Sequence, residues 1–484
     1  MEAGEKVAIG FAASEKQGID AALESLAATD SRFWNRADRY WNARGGSYTD
    51  GGAFFFSVSP NGKGMDIHCT DKFGLPVPVP TSTPAYRTNG VAQSPSTLDI
   101  PLLSAQEQFD WFKRQVVNWD YAQLISFLKG LEYIAQGDGD WGKTIDVLTL
   151  MMDRRIDTGN LRRSSLLSLV DTTFANTIEA IKTADQDDFI FHAAGKPSPE
   201  RNGADQTVVI DARGYTPQDE TSLAREIQRL YTAGFRRFLI VHAKGHRFIG
   251  NGLGANTQEV RIDVYGSPGD YAASGLDGME LHLHNHGQDQ LAQIMKAGKL
   301  VVHGDVGQTF MYAAKGGDVY VLGNTAGRPL INAVGKPRVV INGTCLDYLA
   351  ESFMAGDPLE GGGFVVLNGL TYNEGGELVD LDTPYPGGNL FSLASGGAIY
   401  LRDPHGVVGD EQLNGGEFTP LTPEDWALIE PYLQENARLF DIPMDRLLSV
   451  DGEKRGPSQV YRKIKPRAIR ALQAEEAWVT ESRK

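Results

Sequence analysis

Histidine is the residue type whose distribution along this chain most clearly points to chemistry. The run HLHNH places His282, His284 and His286 at alternate positions, and alternate side chains of a β-strand lie on the same face. Imidazole nitrogens are common ligands of zinc and other divalent metals, and an open fourth position would allow catalysis. The run therefore predicts a metal site formed by these three histidines. The alternative is a solvated strand face on which they alternate with buried Leu281 and Leu283.

Glycines recur at a nearly constant interval around this run, from Val264 to about Val366. The opening glycines are 18, 20 and 20 residues apart, and the closing glycines are 20, 19 and 18 apart. The opening set is Gly269, Gly287, Gly307 and Gly327, and the closing set is Gly278, Gly298, Gly317 and Gly335. Glycine adopts positive φ without steric cost, so both sets are predicted to be structural turns.

A short apolar or alternating run lies at or soon after each closing glycine, with sequences such as KLVV, DVYV and RVV. β-branched and aromatic residues favour extended strands. A single strand between glycine turns cannot bury its apolar face alone, whereas stacked repeats can. A repeat of about 19 residues is too short for two helices. The repeat therefore predicts a mainly β solenoid, a β-helix.

The rest of the chain is predicted to form helical or mixed regions around this repeat. The predicted regions are a mixed α/β part at 1–103, a helical subdomain and linker at 104–203, a β-helix with an αβ cap at 204–404, and a C-terminal helical segment at 405–484. Ser104 followed by Glu107 predicts a capping box at a helix start. Thr422 followed by Pro423 predicts another helix start, with proline at the first helical position.

Composition narrows the class of partner. The chain has 484 residues and a formal net charge of −16, which argues against nucleic acid or an anionic membrane as the main partner. The sequence shows no apolar run long enough to span a bilayer and no secretory signal. Neither of the two cysteines, Cys69 and Cys345, belongs to a CxxC motif. Two isolated cysteines are typical of proteins in a reducing compartment. A cytoplasmic location is therefore expected.

Several stretches carry a family resemblance. They are GDYAASGLDG, GQTFMYAAKGGDVYVLGNTAGR and NLFSLASGGAIYLRDP, then LTPEDWALIEPYLQENARLFDIPMDRLL and the run YRKIKP at 461–466. Together they resemble the GXGXG β-helix domain at the C-terminal end of the glutamate synthase large subunit, and the repeat is similar to that of a formylmethanofuran dehydrogenase subunit. The resemblance covers about residues 240–475. It implies a right-handed β-helix followed by C-terminal helices. The residue patterns, not the resemblance, predict an α+β and helical N-terminal region ahead of it.

The resemblance also implies a function. In that family the β-helix domain is a scaffold between catalytic domains, and this chain shows no likeness to the cysteine amidotransferase, the FMN barrel or the iron–sulfur cysteines. The chain is therefore expected to be a scaffold subunit of a multi-subunit, glutamate-synthase-like oxidoreductase. It would hold no redox cofactor of its own, and FMN or FAD and iron–sulfur clusters would lie on partner subunits.

Two other functions stay open. One is a stand-alone enzyme, metal-dependent or not, that works at the histidine-rich rung of the repeat. The other is a homo-oligomeric structural protein that stacks through the ends of its repeat.

Overall fold

A computed structural model describes residues 54–61, 64–71, 76–77 and 104–467, except 139, 185–186, 202, 204–205 and 374–375. Most of the predicted region 1–103 lies outside the described residues, as does the end of the C-terminal segment. The described helices are α1 (Ala105–Val116), α2 (Tyr121–Asp138), α3 (Trp141–Asp153), α4 (Arg163–Thr183), α5 (Leu223–Thr232), α6 (Pro423–Phe440), α7 (Met444–Leu447) and α8 (Pro457–Val460).

The strands lie in four sheets. A small antiparallel sheet contains β1 (Phe54–Asn61), β2 (Gly64–Asp71) and β3 (Pro76–Val77). Two hairpins contain β13 (Leu370–Tyr372) with β14 (Leu378–Asp380) and β17 (Ser449–Val450) with β18 (Glu453–Lys454). The large sheet contains β4 (Phe189–Ala193), β5 (Thr207–Asp211), β6 (Arg237–Lys244), β7 (Arg261–Ser267), β8 (Asp277–Leu283), β9 (Ala297–Val302), β10 (Asp318–Val321), β11 (Arg338–Ile341), β12 (Phe364–Leu367), β15 (Ala398–Arg402), β16 (Gly416–Thr419) and β19 (Tyr461–Pro466).

The large sheet is mostly parallel. Its twelve strands run in the order β16-β19-β15-β12-β11-β10-β9-β8-β7-β6-β5-β4. Neighbouring strands are parallel from β4 to β15, and β19 pairs antiparallel with both β15 and β16. Each glycine-bounded repeat contributes one strand to this sheet.

The predicted fold class, a mainly β, right-handed β-helix, is therefore wrong for the described part of the chain, which is mixed α/β. The segments between the strands of the repeat lead the chain back to the sheet through hydrogen-bonded turns. They do not form strands of their own. Tyr271 and Ala273, for example, have φ values of 64° and 58°, and left-handed residues interrupt an extended strand. The N–H of Ala273 donates to the carbonyl of Ile249 in the preceding repeat at 2.8 Å. The repeats are thus joined by turn hydrogen bonds outside the sheet.

The two faces of the sheet pack differently. The face toward the turns carries the buried apolar residues Val264, Leu283, Val302, Val321, Ile341 and Leu367. The opposite face is covered by helices. Helices α1–α4 share a core with Val209, Leu239 and Val241, and α6 shares a core with Val301 and Val340. Burial of both faces is typical of parallel sheets in α/β proteins.

Both predicted helix starts are confirmed. Ser104 and Glu107 form a reciprocal capping box ahead of α1. Thr422 caps α6, and Pro423 is its first residue. The division into four regions stays a prediction. Among the described residues, no helix combines the length and the apolar character that crossing a bilayer requires.

The closing glycines have positive φ, at 125° for Gly278 and 102° for Gly298. The opening glycine Gly269 instead allows a close approach of two chain segments. A Cβ atom there would lie 2.5 Å from the carbonyl oxygen of Gly245, a distance at which the backbone would have to move. Conformation and space therefore favour glycine at different points of the repeat.

Candidate metal centre

The candidate site lies on the helix-covered face, near the carboxyl ends of β7, β8 and β9. The parallel ladder continues one residue past β8 and β9. The N–H of His284 donates to the carbonyl of Val264 at 3.0 Å, and the N–H of His303 donates to that of Leu283 at 2.9 Å. Tyr265, His284 and His303 are therefore lateral neighbours, which we call the terminal row. Open parallel sheets form ligand crevices at this end of their strands.

A carboxylate reaches the terminal row from the helical region. Asp153 is the last residue of α3, which buries Leu148 and Met151 and so packs its apolar stripe inward. A negative side chain at a helix C-terminus meets the negative end of the helix dipole. Asp153 is nevertheless buried, so its charge needs positive partners close by.

The three side chains Asp153, His284 and His303, which we call the metal triad, converge on one point. Oδ2 of Asp153 lies 2.8 Å from Nδ1 of His284 and 3.4 Å from Nδ1 of His303. One ligand atom from each residue lies within 4.8 Å of the others. Ligands about 2.0–2.1 Å from a tetrahedral zinc ion lie roughly 3.3 Å apart. Small side-chain movements would therefore seat an ion between them.

Two buried polar atoms of the metal triad form no hydrogen bond to the described residues. Among the described residues, neither Oδ1 of Asp153 nor Nδ1 of His303 has a hydrogen-bond partner. A buried polar atom without a partner costs about 1–3 kcal/mol. A bound cation would satisfy both atoms at once.

The second nitrogen of His284 is held by another carboxylate. Nε2 of His284 lies 3.2 Å from Oδ1 of Asp263, and Arg261 holds Asp263 through two hydrogen bonds of 2.9 Å. Histidines that bind metals commonly donate their other ring N–H to a carboxylate, which fixes the ring. The pair Asp263 and Arg261 provides such a support.

Aromatic rings fix the imidazole planes. Tyr265 stacks on His284 with ring centroids 4.3 Å apart. The hydroxyl groups of Tyr265 and of Thr149 in α3 share a hydrogen bond of 2.7 Å. The ring of Phe440 in α6 lies nearly perpendicular to that of His303, with ring centroids 5.3 Å apart. The site therefore draws on the sheet, α3 and α6 together.

The two histidines of the metal triad differ in charge. Burial opposes a charge on His284, but Asp153 and Asp263 outweigh it and raise the pKa of His284 to about 9. Burial lowers the pKa of His303 to about 3, more than Asp153 can offset. Burial alone would raise the pKa of Asp153, yet the two histidines hold that pKa below its ordinary value. At neutral pH the metal-free centre thus contains a carboxylate, an imidazolium and a neutral imidazole.

The metal triad lines a cavity of about 1450 Å³, which is large enough for a small-molecule ligand. The other polar side chains on its wall include Arg155, Arg163, Arg213, His242, Lys244 and His246. A ligand in this cavity could therefore reach both the triad and several groups that carry or accept protons.

Of the three histidines predicted to bind metal, only His284 lies in the metal triad. Nε2 of His282 donates to Glu280 at 2.6 Å, and Nδ1 of His286 accepts the N–H of Asp305 at 2.8 Å. Each of these two histidines is 5% exposed, so the alternative of a solvated strand face is wrong. Metal binding by all three histidines stays a prediction, but the geometry favours other companions for His284.

Sequence reasoning did not select Asp153 or His303 as candidate ligands. His303 follows His284 by 19 residues, which is one repeat, so the glycine interval could have placed them side by side. Asp153 lies in the run MMDRRI, which has no recognisable ligand pattern. Its role emerges only from the packing of α3 on the sheet.

Comparison with known proteins supports the resemblance over part of the chain. The family model of the GXGXG motif matches residues 232–448. An uncharacterized protein of Methanocaldococcus jannaschii is 28% identical over 245 residues, which cover 50% of this chain and 87% of that relative. The family match includes His284 and His303 but not Asp153, and it suggests a glutamate-synthase-like context. Residues 232–448 of this chain are thus similar to the GXGXG motif family.

Proposed function

We propose that this chain is a metal-dependent enzyme whose metal ion is held by Asp153, His284 and His303. The observation that supports this most directly is the convergence of these three side chains at the wall of a cavity, where two of their buried polar atoms form no hydrogen bond to the described residues.

The ligand set limits the metal and its chemistry. Two imidazoles and one carboxylate suit zinc and iron(II). Three protein ligands leave at least one coordination position for water or substrate, and the triad lines the cavity. A divalent ion there would lower the pKa of a bound water or polarise a substrate oxygen. An ion held by Asp153, His284 and His303 would therefore supply the activation of water or of a substrate oxygen.

Metal analysis of the full chain tests the proposal. The protein is stripped with EDTA, incubated with zinc or, without oxygen, with iron(II), then desalted and measured by mass spectrometry of the metal. We expect about one ion per chain for the wild type. Asp153→Asn and His303→Ala should each lose most of it.

Two matched substitutions make the result specific. His282→Gln removes a neighbouring buried histidine outside the triad, and His405→Gln removes an exposed one. Both should keep the metal. Retention by His303→Ala with loss by His282→Gln would favour the three histidines of the HLHNH run instead. A wild-type chain that binds no ion would overturn the proposal.

A second function is favoured by the family match over residues 232–448. Under this alternative the chain is a scaffold subunit of a glutamate-synthase-like oxidoreductase, and partner subunits hold the flavin and iron–sulfur clusters. A native pull-down with mass spectrometry of the captured proteins tests it. Flavin- and iron–sulfur-containing partners would support the scaffold, whereas a metal-loaded chain without such partners would favour the enzyme.

A further inference from the structure

Another histidine of the same cavity, outside the metal triad, is held in an unusual way. His242 lies within β6, where the pairing with β7 shifts register between Ile240 and Ala243. Its φ is 58°, a left-handed conformation that is uncommon for a non-glycine residue inside a strand. Such bulges redirect a side chain, and strained residues of this kind often occur at functional sites.

The redirected imidazole is oriented by a carboxylate. Nδ1 of His242 lies 3.2 Å from Oδ1 of Asp211, on the neighbouring strand β5. Asp211 is itself fixed by Arg213, whose N–H, Nε and Nη2 donate to it at 2.7–3.1 Å. Burial alone would raise the pKa of Asp211, but the hydrogen bonds from His242 and Arg213 hold that pKa well below its ordinary value. Asp211 therefore stays a carboxylate and selects the tautomer of His242 with a proton on Nδ1.

The side chain of His242 lines the cavity. The His242 side chain is 41% exposed, while that of Asp211 is 11% exposed. His242 and the metal triad line the same cavity. Since β6 and β8 are two strands apart, the backbones of His242 and His284 lie roughly 10 Å apart across the sheet. A small molecule that fills the shared cavity would span that distance.

We propose that His242, oriented by Asp211, is the proton-transfer group of this cavity. Nε2 accepts a proton from the ligand, or from water beside it, and the imidazolium that forms is stabilised by Asp211; the reverse transfer returns the proton. This deepens the proposed function, because it gives the metal-dependent reaction its acid and base. The His242–Asp211 pair itself needs no metal, so it can be tested separately.

The test uses p-nitrophenyl acetate as the probe, with EDTA present to remove any metal. Nε2 attacks the acetyl carbon, the bond to oxygen breaks, and p-nitrophenolate leaves. Water then hydrolyses the acetylimidazole to acetate and restores the histidine. Release of p-nitrophenolate is followed by absorbance, and the acetylated residue is located by peptide mass spectrometry.

We expect His242 to be acetylated, and His242→Gln to remove most of the protein-dependent rate. Asp211→Asn should lower that rate at least about tenfold while His242 is intact, because an amide does not enforce the reactive tautomer. His405→Gln is the matched control: His405 is 55% exposed and 3.8 Å from Asp451 but lies outside the cavity wall, so the rate should not change. Equal rates for wild type and His242→Gln would overturn the proposal.

Nitrogen NMR of histidine-labelled protein provides a second measurement, in case Asp211→Asn does not fold. The neutral ring of wild-type His242 should carry its proton on Nδ1 and not on Nε2. A proton on Nε2 instead would overturn the proposal. Both measurements are made without metal, so failure of metal binding and failure of the His242–Asp211 pair are separate outcomes.

Discussion

Nδ1 of His284 lies 2.8 Å from Oδ2 of Asp153, although 131 positions separate the two residues in the chain. This contact joins the end of a helix to the end of a sheet strand. Because both side chains are buried, the charge of each depends on the other. The helical region therefore completes a site that the glycine repeat alone does not contain.

Removal of the Asp153 charge should strongly destabilise the metal-free protein. Asp153→Asn leaves the His284 imidazolium without its nearest carboxylate, and breaking a buried ion pair from one side costs about 3–5 kcal/mol. We expect a loss of about 3 kcal/mol in urea denaturation at pH 7. Asp110→Asn is the control, because its 3.6 Å pair with Lys113 is partly exposed and should contribute less than about 1 kcal/mol. Equal losses in the two variants would contradict the assignment.

Metal binding should release a proton. The pKa of His284 is raised to about 9 in the metal-free centre, so its ring is charged at pH 7 and must lose a proton to bind an ion. Zinc titrations by calorimetry in two buffers of different ionisation enthalpy should report release of about one proton per ion at pH 7. The number should fall toward zero as the pH rises past about 9. A pH-independent value near zero would show that His284 is not a ligand.

The repeat was predicted from the sequence more successfully than the fold class. The spacing of Gly278 and Gly298 correctly placed one strand in each repeat. It could not show that intervening residues such as Tyr271 and Ala273 would adopt left-handed turns, because no glycine marks those positions. It also could not show that α1–α4 would cover one face of the sheet, since that packing depends on contacts distant in sequence.

Only part of the candidate site was predicted, because it too depends on contacts between residues distant in sequence. The strand period of two placed His282, His284 and His286 together along one strand. The structure instead pairs His284 with His303, its lateral neighbour one repeat later. Lateral neighbours in a parallel sheet lie about 4.8 Å apart, whereas residues two apart on one strand lie about 6.6 Å apart. Asp153 had no local signal at all.

A buried amide cluster further along the sheet should stabilise the docking of α6. Nδ2 of Asn436 donates to Oδ1 of Asn342 at 2.9 Å, and Nδ2 of Asn342 donates back at 2.8 Å. Asn436→Ala removes both hydrogen bonds and leaves one buried N–H of Asn342 without its acceptor, although Asn342 keeps its bonds to Val321 and Asn368. An unsatisfied buried donor should cost about 1–3 kcal/mol. Asn176→Ala removes an exposed hydrogen bond from the Asn176 side chain to Glu132. This substitution should change stability by less than about 0.5 kcal/mol. Urea denaturation of both variants checks this, and a smaller effect for Asn436 than for Asn176 would contradict it.

The contact of α6 with the sheet should also depend on pH through Glu435. Hydrogen bonds from Arg438 and from Lys299 of β9 lower the pKa of Glu435 to about 2, from an ordinary value of 4.5. A lowered carboxyl pKa contributes stability that is present above the unfolded pKa and is lost as the pH falls toward the folded pKa. Glu435→Gln should therefore be less stable than the wild type by about 1 kcal/mol from pH 7 to pH 5. The gap should narrow between about pH 4.5 and pH 2.

Urea midpoints measured at pH 7, 5, 4 and 3 follow this gap directly. Glu430→Gln on the same helix controls for the loss of one negative charge, since a general charge effect would act on both variants. Addition of salt should shrink the difference for Glu435→Gln, because its pair with Lys299 is partly exposed and is screened by ions. A gap that widens as the pH falls from 5 to 3 would show that Glu435 does not stabilise the folded protein as a carboxylate.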